Sequence, residues 1–175
     1  MWYNKLSMAR VVILETERLV LRQFELSDAR HFHELNNDPA VIRYTGDPPF
    51  ESVEAAEEFI RSYKVYERDG YGRWAVELKA NGEFLGFCGL RLDDDGSETD
   101  IGFRFHQRHW GKGYATESAK ACLEYGLKTL GLKRIIGRAM HENKASIRVL
   151  EKLGMRYSQD GFCHGHDAAI YVLEQ

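Results

Sequence analysis

The sequence predicts an α/β protein with one domain, in which helices flank a single mixed and mostly antiparallel sheet. Three observations favour this class: an early strand precedes two helices, two tight turns then join three strands, and strands alternate with helices in the second half. The 175 residues suit one domain, and a hydrophobic fraction of 43% can fill a core. We therefore expect one domain over residues 1–175, with residues 1–14 as a loose N-terminal extension.

The first half of the chain begins with a short strand and two helices. Residues 18–24 are mostly apolar and bounded by charges, which is typical of a strand. Residues 26–35 repeat apolar side chains at helical spacing until Pro39 is reached. A second helix is predicted to begin after Ser52, which can cap it, and to end at residues 69–70.

Residues 71–105 predict three antiparallel strands. The strands at 74–78 and 84–92 flank Asn81-Gly82, the strongest short hairpin signal. The second of these strands is apolar almost throughout, as expected for a central strand that is covered on both faces. An acidic turn then leads to the third strand at 99–105.

The second half alternates helices and strands. We predict, in order, a helix at 113–130, a strand at 134–140, a helix at 143–153, and two terminal strands near residue 156 and at 168–173. The predicted order of elements is therefore β-α-α-β-β-β-α-β-α-β-β.

Composition and charge exclude several classes of function. The net charge of −3 gives no reason to bind nucleic acid or an anionic membrane, and no apolar run nears the roughly 18 residues that span a bilayer. Three cysteines without C-x-x-C spacing predict reduced core thiols and, with the other features, a cytoplasmic protein. The charge is uneven, because residues 1–100 carry 12 Lys and Arg against 20 Asp and Glu, whereas residues 101–155 carry 11 against 4.

Two glycines stand between a predicted strand and a predicted helix, at positions 111 and 113. Free N–H groups at a helix N-terminus and glycines that let the backbone approach a ligand are typical of an anion site. A P-loop is excluded, because His106 occupies the place of its first glycine and Gly113 that of its Ser or Thr. A dinucleotide fingerprint fits weakly, since Thr116 replaces its third small residue. Phosphate binding is our interpretation, and a plain tight turn is the alternative.

Three separate motifs carry one family resemblance. Residues 110–117 read W-G-K-G-Y-A-T-E, residues 15–22 read E-T-E-R-L-V-L-R, and residues 143–154 read N-K-A-S-I-R-V-L-E-K-L-G. Together they resemble the GNAT superfamily of acetyl-CoA-dependent N-acetyltransferases, in the branch that includes ribosomal-protein N-terminal acetyltransferases. Trp110 departs from the Gln or Arg that is usual at the start of the superfamily's acetyl-CoA loop. The resemblance spans nearly the whole chain and implies a single acetyltransferase domain.

The resemblance implies acetyl-CoA as co-substrate. Phe103 and Phe105 would pair their backbones with the pantetheine arm, and Asn143 would donate or accept a hydrogen bond near the pantetheine or the acceptor. The backbone amides of the glycine loop would hold the pyrophosphate; these belong to Trp110, Gly111, Lys112, Gly113, Tyr114, Ala115 and Thr116. The basic residues between 101 and 155 suit an anionic coenzyme.

The chemistry needs a proton acceptor for the amine and a proton donor for the thiolate. An alkylamine with a pKa near 10.4 is mostly ammonium at neutral pH, and we expect Asp100 to act as the base through a water. In many members of the superfamily a Tyr seven residues after the Asn is the general acid that protonates the thiolate, but position 150 of this chain is Leu. The resemblance therefore implies Ser146 as the proton donor. The alternatives are that Asp100 is only an exposed strand carboxylate and that Ser146 only starts a helix.

The predicted function is direct transfer of acetyl from acetyl-CoA to a primary amine, either a protein N-terminus or a small amine. The acidic residues between 93 and 100 favour a cationic acceptor, such as a cationic peptide. The alternative is a non-catalytic acyl-CoA-binding regulatory module, which the Leu at position 150 favours. No metal is expected, because His31 and His33 diverge at i,i+2 spacing on a helix. The chain could be a monomer or a homodimer.

Overall fold

Eight strands form one continuous sheet in a computed structural model that describes residues 10–175. The strands are β1 (Val12–Glu15), β2 (Leu19–Arg22), β3 (Arg73–Leu78), β4 (Phe84–Leu92), β5 (Thr99–Phe105), β6 (Arg134–Met140), β7 (Arg156–Cys163) and β8 (His166–Glu174). Their order across the sheet is β1-β2-β3-β4-β5-β6-β8-β7. All neighbours are antiparallel except β5 and β6, so the predicted mixed and mostly antiparallel sheet is confirmed.

Helices cover both faces of this sheet. They are α1 (Ala29–Asn36), α2 (Pro39–Ile42), α3 (Val53–Ser62), α4 (Val65–Asp69), α5 (Tyr114–Lys128) and α6 (Lys144–Lys152). Within residues 10–175, no helix has the length and apolar character needed to cross a membrane.

The core is divided by the sheet because strand side chains alternate between its faces. Trp74 and Val76 of β3 belong to the larger cluster, which includes Cys122 of α5. Ala75, between them, belongs to the smaller cluster with Phe32 of α1 and Ala56 of α3. The long helix α5 therefore covers one face, and the helices of the first half cover the other.

A buried ion cluster joins β2 and β3 to the start of α1. Arg22 is 3% exposed and donates to both carboxylate oxygens of Asp28, at 2.7 and 2.8 Å, and to Glu77 at 2.7 Å. Burial alone lowers the pKa of Arg22, but the two carboxylates outweigh burial and raise it. The cluster holds the first helix against the sheet, because Arg22 of β2 bonds both Asp28 and Glu77. Removing one partner would leave a buried charge uncompensated.

The fold departs from the predicted elements at the N-terminus. The expectation of a loose extension over residues 1–14 is wrong for its last part, because Val12–Glu15 forms β1 and pairs with β2. The apolar run Val11 to Leu14 explains this pairing, since Ile13 and Leu14 pack against the larger core cluster. Residues 1–9 lie outside the described part of the chain.

The predicted second helix is interrupted. Helix α3 ends at Ser62, and α4 begins at Val65, because Tyr63 adopts a non-helical backbone with φ −74° and ψ 83°. Its hydroxyl accepts the N–H of Arg73 at 2.8 Å. This tertiary hydrogen bond holds Tyr63 in its non-helical conformation, although the helical spacing of apolar residues in the sequence reaches this position.

Candidate active site

The parallel strands β5 and β6 diverge beside the glycine loop. They pair at Asp100 and Ile136, whereas on its other edge β5 stays paired with β4 as far as Phe105. Among residues 10–175, no residue of β6 pairs with Phe103, so this edge of β5 is open there. Its backbone groups can therefore take an extended ligand as an added strand.

The glycine loop begins a helix with an open space in front of it. Gly111 and Gly113 have φ values of +73° and +82°, and Gly113 directly precedes α5. A Cβ at Gly111 would meet no atom within 4 Å. The first hydrogen bond of α5 runs from the N–H of Glu117 to the carbonyl of Gly113. The N–H groups of residues 114–116 therefore have no partner within the helix and are directed toward this space. The residues present thus fit a pyrophosphate group at a helix N-terminus.

Trp110 differs from its predicted role. Its backbone N–H donates to the carbonyl of Gln107 at 3.1 Å, so this amide is used inside a short turn. Its indole N–H donates to the carbonyl of Phe105 at 2.9 Å. Trp110 therefore closes the end of β5 onto the loop, and its backbone amide is not free for the predicted contact with pyrophosphate. Phe103 lies two residues before Phe105 on β5 and pairs with Cys88 of β4, so its predicted pairing with pantetheine stays a prediction.

Two of the three motifs meet beneath the glycine loop. The Glu117 carboxylate accepts hydrogen bonds from the Thr16 hydroxyl at 2.6 Å and from Nε of Arg18 at 2.7 Å. Arg18 also donates to the carbonyl of Lys112 at 3.1 Å and lies over the ring of Tyr114 at 4.6 Å. These contacts fix the loop to the turn before β2, which explains why the first motif and the loop motif occur together.

Asp100 lies in a cavity, but its carboxylate is already engaged. Oδ1 accepts a hydrogen bond from Arg73 at 2.6 Å, whereas Oδ2 is contacted only weakly by Arg138 at 3.5 Å. Burial lowers the pKa of Arg73, but the charge of Asp100 outweighs burial and raises it. Sequence reasoning missed both arginines. Gly102 permits the first contact, because a Cβ there would lie 2.5 Å from the Arg73 guanidinium.

Asn143 and Ser146 lie together at the start of α6. Asn143 caps the helix, and its Oδ1 accepts the backbone N–H of Ser146 at 3.2 Å. Both residues line the same cavity as Asp100. Leu150, one turn further along, is buried and also lines the cavity, so an apolar side chain occupies the place of the superfamily's Tyr.

The cavity has a volume of about 440 Å³ and is lined by both polar and aromatic side chains. Asp100, Phe103 and Ser146 are among the lining residues. Its aromatic wall combines side chains from α1, α3, β4 and the segments next to the two helices. These are Phe24, Phe32, Phe50, Phe59, Tyr63 and Phe87. Arg104 lies over the ring of Phe87 at 5.3 Å and donates to Asp47 at 2.6 Å. A small organic molecule with an apolar part fits such a site.

Cys163 also lines this cavity, which corrects one prediction. Cys88 and Cys122 are buried free thiols, as predicted for core cysteines. Cys163 is instead half-buried at the end of β7 and faces the cavity. Burial raises the pKa of its thiol.

The acidic segment before β5 is largely neutralised by arginines. Asp93 accepts two hydrogen bonds from Arg138, at 2.6 and 3.0 Å, and Glu98 accepts one from Arg134 at 3.1 Å. Asp94 pairs with Arg91. The attraction that this segment exerts on a cationic acceptor is therefore smaller than its formal charge implies.

Comparison with known proteins assigns the family. Residues 18–156 match the model of the acetyltransferase (GNAT) domain. The chain is 40% identical to the uncharacterized protein YkkB of Bacillus subtilis (strain 168), over 83% of this chain and 86% of that protein. It is 32% identical to the uncharacterized N-acetyltransferase p20 of Bacillus licheniformis, over 89% of this chain and 88% of that protein. A solved GNAT-family acetyltransferase from Bacillus anthracis has a TM-score of 0.80 and 30% identity, covering 94% of this chain and 98% of that one.

The fold and the site define an acetyl-CoA-dependent acyltransferase, and the chain belongs to the GNAT family. It is an N-acetyltransferase that uses acetyl-CoA as co-substrate, as the three motifs predict.

Two weaker similarities concern proteins with named acceptors. The spermidine N(1)-acetyltransferase of Escherichia coli (strain K12) is 28% identical over 77% of this chain and 70% of that protein. The RimL ribosomal L7/L12 alpha-N-protein acetyltransferase shares the fold, with a TM-score of 0.79 at 17% identity over 93% of this chain and 97% of that one. At this identity the similarity to RimL shows a shared fold, as expected for the GNAT family.

Proposed function

We propose that this enzyme transfers acetyl directly to a primary amine, carried by a small molecule or a protein N-terminus, inside the cavity between Asp100 and the aromatic wall. The observation that carries the proposal is that this cavity reaches Phe103 at the point where β5 and β6 diverge. Pantetheine paired with that strand edge would bring the thioester into the cavity beside Phe103. The amine would then attack the thioester carbonyl without an acyl-enzyme intermediate.

Asp100 would bind the acceptor ammonium and accept its proton through a water. Arg73 balances the carboxylate charge at Oδ1, but the long contact of Oδ2 with Arg138 leaves that second oxygen free to accept a hydrogen bond from the ammonium or from a water. Arg73, bonded to Oδ1 and to the carbonyls of Gly89 and Asp100, would hold the carboxylate in place. This arrangement supports the predicted route through a water.

The remaining steps would use a backbone group and a hydroxyl. A backbone N–H of β5 near Phe103 would stabilise the tetrahedral oxyanion, since a fixed donor needs no reorganisation during the reaction. When the C–S bond breaks, the hydroxyl of Ser146 would donate a hydrogen bond to the departing thiolate. Its backbone N–H donates to Oδ1 of Asn143, which holds Ser146 at the start of α6 beside the cavity.

The aromatic wall supports an acceptor in which the amine is attached to an apolar segment. Stacked and edge-on rings, such as Phe24 against Phe32 at 4.8 Å, form a rigid apolar surface. A peptide N-terminus with an apolar first side chain and a small apolar amine both satisfy this requirement. Spermidine, the acceptor in the name of the E. coli relative, also carries its amines on short apolar segments.

An acceptor panel tests the proposal. The purified full chain is mixed with acetyl-CoA and, separately, with spermidine, small apolar amines, and peptides that differ only in their first residue. Thiol release and product mass are both followed, with acetyl-CoA alone as the control for hydrolysis. Acceptor-dependent thiol release that matches acetylated product in amount supports direct transfer. Binding of acetyl-CoA without turnover of any amine would instead support the non-catalytic acyl-CoA-binding module, which the buried Leu150 favours.

A further inference from the structure

Two histidines and one carboxylate meet outside the acceptor cavity. His31 and Glu34 lie about one turn apart on α1, and His106 follows directly after the end of β5. One possible ligand atom from each residue lies within 4.8 Å of the other two. The residues that line the acceptor cavity, within the described chain, do not include these three. The cluster is therefore separate from the proposed acetyl-transfer site.

The two histidines have ring nitrogens without partners. His106 is 4% exposed, and its Nε2 is buried with no hydrogen-bond partner among residues 10–175. The Nδ1 of His31 is in the same state. Leaving a buried polar atom without a hydrogen bond is costly, so native proteins keep few such atoms. Two of them belong to this three-residue cluster, so both histidines have a ring nitrogen that is free to bind an ion.

We propose that His31, Glu34 and His106 bind one divalent transition-metal ion of the zinc class. Two imidazole nitrogens and one carboxylate form a ligand set that Zn²⁺ accepts in tetrahedral coordination, with water at the fourth position. Zinc–nitrogen bonds of about 2.0 to 2.1 Å place neighbouring ligand atoms roughly 3.3 Å apart. The three ligand atoms, within 4.8 Å of one another, would therefore have to move closer on binding, and the exposed Glu34 side chain has room to do so.

The ion would connect the helical layer to the loop that precedes α5. The backbone N–H of His106 donates to the carbonyl of Leu85 at 3.0 Å, which fixes this residue to β4. The ring of His31 stacks on Phe84 at 5.0 Å with an interplanar angle of 6°, which fixes the second ligand. A metal bridge between them would stabilise the fold near the start of the glycine loop.

The sequence gives no pattern for this site. Helical i,i+2 spacing separates His31 from His33, and His33 instead contacts the side-chain amide of Asn37 at 2.7 Å. The third ligand, His106, is distant in sequence from both and reaches the cluster only through the sheet. The expectation of no metal was based on sequence spacing, which cannot detect such a set.

Metal titration of the full, tag-free, metal-stripped chain tests the proposal. Zn²⁺ affinity and stoichiometry are measured by competition with a chromophoric chelator, Co²⁺ spectra report the ligands, and thermal unfolding reports stabilisation. Two variants each remove one ligand: Glu34→Ala at an exposed position and His31→Gln at a half-buried one. The buried His106 is left unchanged, because replacing it could unfold the protein. The matched control is His33→Ala, which removes a histidine from the same helix outside the cluster.

We expect one Zn²⁺ per chain, a raised midpoint of thermal unfolding, and a tetrahedral Co²⁺ spectrum without a thiolate charge-transfer band. Each ligand variant should weaken binding at least about tenfold, whereas His33→Ala should bind as the unchanged chain does. Equal affinity in the unchanged chain and both ligand variants, a thiolate band, or no saturable 1:1 binding would overturn the proposal. None of these results depends on acetyl-transfer activity.

Discussion

The carboxylate of Glu117 and the guanidinium of Arg18 form an ion pair with an Nε–Oε2 distance of 2.7 Å, which joins the start of α5 to the turn before β2. The Arg18 backbone N–H donates to the same carboxylate at 3.0 Å. Lys112, in the glycine loop, receives a further hydrogen bond from Arg18. This pair therefore holds the glycine loop in place, together with the amides that we expect to bind the pyrophosphate.

Replacing Glu117 with Gln should lower affinity for acetyl-CoA more than it lowers turnover. The variant keeps the size of the side chain but loses the charge that holds Arg18, so the loop should sample more positions. We expect KM for acetyl-CoA to rise several-fold with kcat nearly unchanged, because ground-state and transition-state binding are weakened alike. Steady-state kinetics with saturating amine measure both values, and a fall in kcat at constant KM would contradict this role.

The same variant should change the acid dependence of stability. Burial alone raises the pKa of Glu117, but hydrogen bonds from Thr16 and Arg18 outweigh burial and lower it below the ordinary value of 4.5. A lowered folded-state pKa contributes stability that is present above pH 4.5 and is lost as the pH falls through the folded-state value. Urea unfolding should show a deficit of about 1 to 2 kcal/mol for Glu117→Gln at pH 7 that shrinks below pH 4. Glu57→Gln, at an exposed pair with Arg61, should change stability by less than about 0.5 kcal/mol throughout.

Gly111 and Gly96 provide a matched test of the loop. Both have a φ of +73°, and a Cβ at either position would meet nothing within 4 Å. Alanine at each position should therefore cost a similar amount, about 1 to 2 kcal/mol, from the left-handed backbone. Only Gly111→Ala should also raise KM for acetyl-CoA, by about tenfold or more, because its methyl group enters the space before the helix. Equal KM values in the two variants would mean that the loop is only a turn.

Replacing Asp100 with Asn should reduce turnover without weakening acetyl-CoA binding. The amide keeps the shape of the side chain but removes the negative charge, so kcat/KM for the amine should fall about 100-fold or more and the acidic limb of its pH profile should move. Asp93→Asn is the control, since it removes a carboxylate from the same Arg138 outside the residues that line the cavity. Similar losses in both variants would indicate that Asp100 only positions the arginines.

Acetyl-CoA should stabilise the folded chain. A ligand that binds only the native state at 100 times its Kd adds about 2.7 kcal/mol, which raises the unfolding midpoint by roughly 5 to 10 °C for a domain of this size. Differential scanning calorimetry with acetyl-CoA, free CoA and adenine alone measures the shift. A midpoint that is unchanged by saturating acetyl-CoA would contradict the assignment of the glycine loop.

Local patterns in the sequence identify most of the fold, and distant pairs in space account for what they miss. Asn81-Gly82 predicts the turn between β3 and β4 correctly, because turn geometry depends on adjacent residues; Gly82 indeed has a φ of +72°. The contact between Arg73 and Asp100 could not be predicted in this way. It crosses β4 from β3 to β5 and depends on the absence of a side chain at Gly102.

The candidate site shows the same division. Asn143 and Ser146 are three residues apart on one helix, so their proximity follows from sequence spacing, and the glycine loop is a continuous motif. The aromatic wall combines residues from separate helices and from β4, and periodicity predicts only that they are buried. Trp110 bonds back to Phe105 through its indole, a contact that a motif comparison does not reveal.

The divergence of β5 and β6 leaves part of one strand edge open beyond Asp100. Pantetheine contains two amide groups, so a coenzyme lying along Phe103 would supply the hydrogen bonds that a neighbouring strand supplies elsewhere. The small molecule would then act as a temporary ninth strand between two halves of the protein. Assembly of the reactive complex and completion of the secondary structure would become one event, and amide hydrogen exchange along β5 should slow only while the coenzyme is bound.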